Sequence, residues 1–183
     1  MTTPPVIAMF GLSGVGKGWL ARKLCEHRPE VLHLEASALM RATFNISSEA
    51  LRTADAGALT TNQQGLVAAF TGARAAEPLR PILFDGHSVI DNDAGLVQIA
   101  LEVIAGLKPQ HIVFVSEVVS LIAERRRRDT RSRPIRTLDE LTRHQDCARE
   151  LANSYAESLA ISFDEVQSRD WMIVDRLFAD LPR

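Results

Sequence analysis

The sequence predicts an α/β fold in which helices cover both faces of a parallel β-sheet. Short apolar runs alternate along the chain with longer stretches of helical spacing, and strands that are apolar throughout are typical of a parallel sheet buried on both sides. The first such run, residues 6–10, leads into a glycine-rich loop and then into a helix. At 183 residues the chain is long enough to bury a substantial core, and we expect a single domain over residues 1–183.

The composition argues against several functional classes. The chain has 21 basic and 23 acidic residues, a net charge of −2 and a pI near 6.2, which does not favour a general nucleic-acid-binding surface. The two cysteines, Cys25 and Cys147, lack the spacing of a zinc site or a disulfide framework. No basic segment with a long apolar run opens the chain, and no apolar run approaches the ~18 residues of a membrane span. We therefore expect a cytoplasmic protein.

The glycine-rich loop nearly matches the phosphate-binding pattern G-x-x-x-x-G-K-[ST]. Its glycines let successive backbone N–H groups turn toward a phosphate, its lysine reaches the outer phosphates, and the following helix directs its positive end at the anion. One position departs, because glycine stands where a serine or threonine hydroxyl would bind Mg²⁺, so metal binding must differ in detail. We favour nucleotide binding over a chance glycine-rich turn. The predicted nucleotide-binding residues are Gly11, Ser13, Gly14, Val15, Gly16, Lys17, Gly18 and Trp19.

The remaining elements are predicted from apolar spacing and helix-breaking residues. The first helix ends near Pro29. Further strands are expected at residues 31–34, 81–85, 111–115 and 161–166. Further helices are expected at residues 37–43, from 47 through Arg52, at 60–76, along the stripe of Leu96, Ile99, Ala100, Val103 and Leu107, from 117 into an arginine run, at 138–159 and at 170–181.

Polar residues follow several predicted strands directly, and ligands of parallel sheets bind at that edge. Asp85 ends the third strand, where a carboxylate can hold Mg²⁺ through water opposite the loop lysine. Asp-Gly is also common turn chemistry, so a turn or cap role stays open for Asp85. His87 either orients a substrate or packs this edge. Residues 35–37 and 116–117 should lie on the same edge.

A run of arginines is the second informative feature. Arg125 and Arg128 fall on one side of a predicted helix, and Arg131 and Arg133 follow in a loop that ends in proline. Guanidinium groups match the charge of a moving phosphoryl group, and a flap would also exclude water. We favour such a lid over a solvated helix face or a nucleic-acid patch. Arg149, on the next helix, could reach the same space.

A helical insertion between the second and third strands is placed to cover an acceptor site. A lone helical arginine is usually surface, but Arg52 lies within this segment together with Gln63 and Gln64. The predicted acceptor-binding residues are Ser37, Arg52, Gln64 and His87, with Gln63 as the alternative to its neighbour.

With these residues, the chain resembles the P-loop nucleoside monophosphate kinases, among them the archaeal-type adenylate kinases and their bacterial relatives. Their third strand ends in Asp-x-His, as residues 85–87 do here. Their lid, R-R-x-x-D-x-T-R-x-R, resembles residues 125–133, which are one residue shorter. The following helix carries H-Q-x-x-x-R and later S-Y, matched by residues 144–149 and 154–155.

This resemblance implies a three-layer P-loop NTPase fold with a five-stranded parallel sheet of order 2-3-1-4-5. It implies an acceptor-binding insertion at about residues 36–76 and an arginine-rich lid at about residues 125–137. The implied reaction is reversible transfer of the γ-phosphoryl group of MgATP to a nucleoside monophosphate, typically AMP, which makes ATP and Mg²⁺ the cofactors.

The resemblance also implies roles for single residues. Lys17 and the loop amides would hold the β- and γ-phosphates, and Arg52 would hold the acceptor phosphate. The transferring group would be neutralised by Arg125, Arg131 and Arg149. No general base is demanded, because the acceptor is already an anion.

Two other functions remain open at this stage. One keeps ATP as donor but uses another nucleotide or a small hydroxyl compound as acceptor, with Asp85 as a base. The other is a nucleotide-binding regulatory or assembly protein with little turnover, for which Gly18 and Trp19 are the motivating residues. The expected partners are nucleotides, with no nucleic acid and no membrane, and a homo-oligomer stays open.

Overall fold

The structure is a computed structural model that describes residues 3–44, 56–92, 95–129 and 134–181. Strands and helices alternate over most of this part of the chain, as the apolar spacing predicts. In chain order the elements are β1 (Val6–Phe10), α1 (Lys17–His27), β2 (Leu32–Glu35), α2 (Ala36–Phe44), α3 (Ala56–Ala76), β3 (Ile82–Asp85), β4 (Val89–Asn92), β5 (Gly95–Gln98), α4 (Leu101–Leu107), β6 (His111–Ser116), α5 (Val119–Arg128), α6 (Leu138–Leu159), β7 (Ser162–Gln167) and α7 (Trp171–Asp180).

The central sheet has five strands in the order β2-β3-β1-β6-β7, and every neighbouring pair is parallel. Strands β4 and β5 lie outside this sheet, so the central strands alone follow the predicted order 2-3-1-4-5. Helix α1 packs against β2, β3 and α7, while α6 packs against β6, β7, α4 and α5. The predicted three-layer fold, with helices on both faces, is confirmed.

The position of each strand in the sheet explains whether its sequence is apolar throughout. All five side chains of β1 are fully buried, and five of the six in β6 are buried as well, because both strands lie inside the sheet and are covered on both faces. Strand β7 has a neighbour on one side only, and its side chains are partly exposed. The edge position accounts for its more polar, alternating sequence.

The helix predicted along the stripe from Leu96 to Leu107 is wrong over residues 96–100. Residues 89–92 and 95–98 form an antiparallel hairpin, with Leu96 in β5. Where the two strands meet, the Gly95 N–H donates to Asn92 Oδ1 at 3.0 Å, and Gly95 has a φ of +135°. The helix begins only at Leu101. The apolar residues of the short hairpin and of the short helix together follow the spacing expected of a single longer helix.

The long helix α6 has the predicted bounds, because both of its ends carry local signals. Thr137 and Glu140 form a capping box, in which the Glu140 N–H donates to Thr137 Oγ1 at 3.2 Å and the Thr137 N–H donates to Glu140 Oε2 at 2.7 Å. At the other end Ala160 adopts a left-handed conformation with a φ of 52°. Helix α3 begins four residues earlier than predicted, at Ala56.

The helix predicted from residue 47 through Arg52 lies outside the described residues, and so do residues 130–133 of the predicted lid. The bounds of the acceptor-binding insertion and of the lid therefore stay predictions. None of the described helices combines the length and the apolar character needed to cross a membrane.

Candidate active site

The glycine-rich loop connects the end of β1 to the start of α1, as predicted, and its backbone conformation requires glycine. Gly16 has a φ of +105°, and a Cβ there would lie 2.7 Å from the Cβ of Ser168. A Cβ at Gly11 would lie 2.5 Å from the carbonyl oxygen of Val115. These two close approaches hold the loop against the ends of β6 and β7, at the edge of the sheet where ligands bind.

Lys17 lies at the first turn of α1, and its side chain is almost fully buried. Its ammonium donates to the carbonyl oxygen of Gly11 at 2.8 Å and to that of Leu12 at 3.4 Å. The Nζ atom is also 3.9 Å from Asp85 Oδ1. The predicted phosphate-binding lysine and the predicted metal-serving carboxylate are thus side by side, at the ends of adjacent strands.

Asp85 is a buried carboxylate whose surroundings keep it ionised. Burial by itself raises the pKa of Asp85, but the Lys17 ammonium and the nearby side chains of His33 and His87 together outweigh burial, so the pKa lies below its usual value. His33 Nε2 is 3.6 Å from Asp85 Oδ2. An ionised carboxylate here fits Mg²⁺, which keeps several waters and is held by one or two carboxylates together with substrate phosphates.

Within the described part of the chain, Asp85 is not joined by enough other side chains to form a metal cage. Across residues 3–44, 56–92, 95–129 and 134–181, no group of three or more His, Cys, Asp or Glu side chains is placed to hold a metal ion. Gly18, which replaces the usual hydroxyl, is exposed, and a Cβ there would meet no atom within 4 Å. The donor set therefore suits a metal that is held mainly by water and phosphate oxygens.

His87 contacts the loop directly. Its Nδ1 lies 2.7 Å from the carbonyl oxygen of Gly11 and 3.5 Å from Lys17 Nζ. The carbonyl group of Gly11 thus accepts from the lysine and lies within hydrogen-bond distance of the histidine. Two roles were considered for His87, orienting a substrate and packing the edge of the sheet. These contacts fit the packing role, and acceptor binding by His87 stays a prediction.

Two consecutive arginines of α5 hold backbone carbonyl groups of the loop. Arg125 Nη1 donates to Val15 O at 2.7 Å while its Nη2 lies 3.0 Å from Glu117 Oε2. Arg126 Nε donates to Ser13 O at 2.8 Å. The arginine run and the loop are therefore neighbours, as the lid hypothesis requires. The contacts of Arg125 are to backbone carbonyls, and its role at the transferring phosphoryl group stays a prediction.

Helix α6 fixes the start of the segment that carries these arginines. The Gln145 side chain accepts from the Glu117 N–H at 3.1 Å and donates to the Glu117 carbonyl at 3.0 Å. Gln145, the glutamine of the His-Gln motif, therefore has a structural role in holding the backbone of Glu117. Arg149 lies one turn further along α6, where its Nη2 is 3.6 Å from Asp146 Oδ1.

The other predicted site residues are placed less fully. Ser37 is exposed in the first turn of α2, directly after β2, and Trp19 is 40% exposed in the first turn of α1. Gln64 belongs to α3, but its side chain is outside the described part of the structure, as are Arg52 and Arg131.

Two parts of this arrangement escaped the sequence analysis. His33 is a polar residue inside the short strand β2, next to the strand that ends in Asp85, and this polar interruption was the only available signal. Asp91, which pairs with Arg126 at 2.8 Å, had none, because it lies in β4, where no element was predicted.

The sheet order, the glycine-rich loop and the buried lysine together define a P-loop nucleotide-binding protein. A family model described as "AAA domain" matches residues 10–142. The adenylate kinase of Thermococcus onnurineus is 32% identical over 163 residues, which cover 84% of this chain and 81% of that protein. The chain therefore belongs to the P-loop nucleoside monophosphate kinase family.

Other relatives match over a shorter stretch. The adenylate kinases of Pyrococcus abyssi and Thermococcus kodakarensis are 40% and 41% identical over 79 and 78 residues, and the match spans 40% of the length of each. Among solved structures, shikimate kinase from Bacteroides thetaiotaomicron has a TM-score of 0.62 at 13% identity and covers 97% of this chain and 99% of its own. Shikimate kinase from Acinetobacter baumannii in complex with shikimate has a TM-score of 0.62 at 16% identity and covers 99% and 97%. At these identities the two structures show the fold alone.

Proposed function

We propose that this protein is an ATP-dependent kinase that transfers the γ-phosphoryl group of ATP to a nucleoside monophosphate, with AMP as the preferred acceptor. One observation carries the proposal: Lys17, buried behind a glycine-rich loop, lies 3.9 Å from an ionised carboxylate at the end of the adjacent strand. The adenylate kinase relative that matches over most of both chains supports the nucleotide acceptor.

The chemistry needs charge placement more than proton transfer. An oxygen of the AMP phosphate forms a bond to the γ-phosphorus, the bond from that phosphorus to the β,γ-bridging oxygen breaks, and two ADP molecules result. Lys17 and the amides of the loop hold the β- and γ-phosphates of the donor. Because the acceptor oxygen is already anionic, no side chain has to remove a proton from it.

Mg²⁺, when bound, would supply positive charge that offsets the negative charge developing on the phosphates during transfer. Asp85 is the residue that would hold it, through water, since its carboxylate stays ionised beside Lys17. Arg125, Arg131 and Arg149 are assigned to the transferring group, and Ser37, Arg52, Gln64 and His87 to the acceptor. Nucleotides are the proposed partners.

A second candidate keeps ATP as donor and uses a hydroxyl compound as acceptor. Asp85 supports it, because an ionised buried carboxylate with His33 at 3.6 Å could accept the hydroxyl proton. The shikimate kinases share the fold, and shikimate belongs in any acceptor panel for that reason. A binding protein with little turnover is the third candidate, because Gly18 leaves the metal without the usual hydroxyl.

The test is an ADP-formation assay with MgATP and a panel of acceptors, with AMP, other nucleoside monophosphates and shikimate compared side by side. We expect AMP-dependent turnover that falls at least about a hundredfold in Lys17→Ala. Lys23→Ala is the matched control, since Lys23 is an exposed lysine of the same helix that pairs with Glu26, and it should keep the parent rate. Turnover with shikimate alone would support the second candidate. Tight ATP binding without turnover on any acceptor would contradict both kinase assignments.

A further inference from the structure

A buried carboxylate in the hairpin is surrounded by two guanidinium groups and an imidazole from three other segments. Asp91 lies in β4, and its side chain is 6% exposed. Its Oδ2 accepts from Arg126 Nη1 at 2.8 Å, and its Oδ1 accepts from Arg136 Nε at 3.2 Å. His144 Nδ1, on α6, is 3.7 Å from Oδ2. One carboxylate thus joins α5, the segment before α6 and α6 itself.

Arg126 extends this cluster to the glycine-rich loop. Its side chain is 7% exposed, and its Nε donates to the Ser13 carbonyl at 2.8 Å. A Cβ at Gly14 would lie 3.1 Å from Arg126 Cγ, so the arginine stem is in contact with the loop. Because a guanidinium is planar and rigid, fixing Nη1 on Asp91 also fixes the direction in which Nε donates.

The carbonyl that Arg126 holds determines the direction of an amide. In a trans peptide the C=O and the following N–H point to opposite sides of the chain, so a fixed Ser13 carbonyl turns the Gly14 N–H away from Arg126. Arg125 acts likewise on the Val15 carbonyl, and hence on the Gly16 N–H. Phosphate-binding loops function by presenting successive N–H groups to the anion.

We propose that Asp91 is a positioning residue for nucleotide binding: it orients Arg126, which fixes the Ser13–Gly14 peptide so that its amide faces the phosphates. The proposal rests on the proposed function only in taking the loop as the binding site for the ATP phosphates. Without Asp91, the buried Arg126 loses its counter-ion and is drawn toward other acceptors, so its hydrogen bond to the Ser13 carbonyl is weakened.

The ion pair of Arg125 with Glu117 is weaker than the ion pair of Arg126 with Asp91. The Arg125 side chain is 41% exposed, whereas that of Arg126 is 7% exposed, and exposed ion pairs are screened by water and salt. We therefore expect the loop to depend more on Asp91 than on Glu117. Because Asp91 acts on the loop through Arg126, its effect should appear in nucleotide affinity.

The experiment measures the dissociation constant of ATP by calorimetry, with and without Mg²⁺, together with the thermal unfolding of each variant. Asp91→Asn should weaken ATP binding about tenfold, the lower end of the loss seen when a residue that orients metal ligands is removed. Asp175→Asn is the matched control, because it removes a short ion pair with Arg28, at 2.5 Å, between α7 and the end of α1. It should lower the unfolding temperature without changing ATP affinity.

A second variant keeps the test decisive if Asp91→Asn folds poorly. Arg126→Lys keeps the positive charge but cannot donate to Asp91 and to Ser13 with the same geometry, so it should weaken ATP binding to a similar degree. The double variant should bind no more weakly than either single variant, since both break one chain of contacts. Parent-like ATP affinity in folded Asp91→Asn or Arg126→Lys, or strictly additive losses, would overturn the proposal.

The binding measurement needs no acceptor. A parent protein that binds ATP but phosphorylates neither AMP nor any other acceptor would contradict the proposed function, and the comparison of Asp91→Asn with Asp175→Asn would still decide the role of Asp91.

Discussion

The Nδ1 atom of His87 lies 2.7 Å from the carbonyl oxygen of Gly11, at the point where β1 becomes the glycine-rich loop. A carbonyl oxygen only accepts, so Nδ1 carries the proton in this contact. The Lys17 ammonium donates to the same carbonyl at 2.8 Å. His87 therefore shares with Lys17 the task of holding the first peptide of the loop.

Removal of the His87 side chain should weaken nucleotide binding. One hydrogen bond contributes about 1 kcal/mol, which corresponds to about fivefold in Kd, so His87→Ala should bind ATP about fivefold more weakly in calorimetric titrations. His87→Asn is the control, because an asparagine amide can place a donor near the Nδ1 position and should restore most of the affinity. Equal losses in both variants would mean that the hydrogen bond to Gly11 is not the cause.

The loop and the central sheet were predictable because their signals are local. The glycines and Lys17 occur at fixed spacing, the inner strands are apolar throughout, and Thr137 with Glu140 marks the start of α6. Each of these signals needs no knowledge of distant residues. The hairpin at residues 89–98 was missed because two four-residue strands and a seven-residue helix are too short for their periods to be told apart.

The contacts behind the loop could not be predicted in the same way. Arg126 is 113 residues from Ser13 and 35 residues from Asp91, and nothing in the local sequence distinguishes it from the other arginines of its run. The run was predicted to form a lid, and its first two arginines contact carbonyl groups of the loop. Which of its members are buried against the loop is decided by how α5 packs, and that depends on the whole fold.

Gly18 offers a second prediction, because the structure leaves room for a side chain there. A Cβ at this position meets no atom within 4 Å, and the residue lies in the first turn of α1. Gly18→Ser would restore a hydroxyl at the usual metal-binding position, so the Mg²⁺ concentration that gives half-maximal ADP formation should fall several-fold. The measurement is a Mg²⁺ titration of the transfer assay.

Gly18→Ala separates the hydroxyl from the helix effect. Replacing a helical glycine by alanine should raise the free energy of unfolding by about 0.5–1 kcal/mol and leave the Mg²⁺ dependence as in the parent. If the alanine variant shifts the Mg²⁺ titration as far as the serine variant does, the metal does not use this position.

Tyr155 should stabilise the hairpin from the inside. Its ring is buried and meets the ring of Phe10 edge-on, with 6.2 Å between centroids. Its hydroxyl donates to the carbonyl oxygen of Ile99, and burial raises the pKa of this hydroxyl far above its usual value. Tyr155→Phe leaves the carbonyl without this donor and should lower the free energy of unfolding by about 1–3 kcal/mol in urea titrations.

Ser154→Ala is the control for this measurement. Ser154 Oγ donates to the Leu151 carbonyl of its own helix at 2.8 Å, and a local bond of this kind adds little to stability. We expect a change within about 0.5 kcal/mol. Equal effects at the two positions would show that the contact between α6 and the hairpin carries no special stability.

Asp85 gives a pH dependence whose sign follows from its surroundings. Burial raises its pKa, but Lys17 and the neighbouring histidines lower it by more, so the pKa lies below the usual value. A carboxyl group with a lowered pKa stabilises the folded state above its unfolded pKa, and that contribution is lost as the pH falls through the folded pKa. The difference in unfolding free energy between the parent and Asp85→Asn should therefore be constant from pH 7 to about pH 5 and should shrink below about pH 4.

Lys17→Met tests whether the lysine is the cause. Once the ammonium is gone, the largest influence on Asp85 is burial, which opposes ionisation, so the pKa of its carboxyl group should rise. The measurement is urea unfolding from pH 7 to pH 3 of two pairs: the parent with Asp85→Asn, and Lys17→Met with the double variant Lys17→Met, Asp85→Asn. The difference in unfolding free energy within the second pair should begin to change at a higher pH than the difference within the first. An unchanged pH dependence would mean that the 3.9 Å contact between Lys17 and Asp85 does not set the charge of the carboxylate, and the assignment of Asp85 to the metal would lose its physical basis.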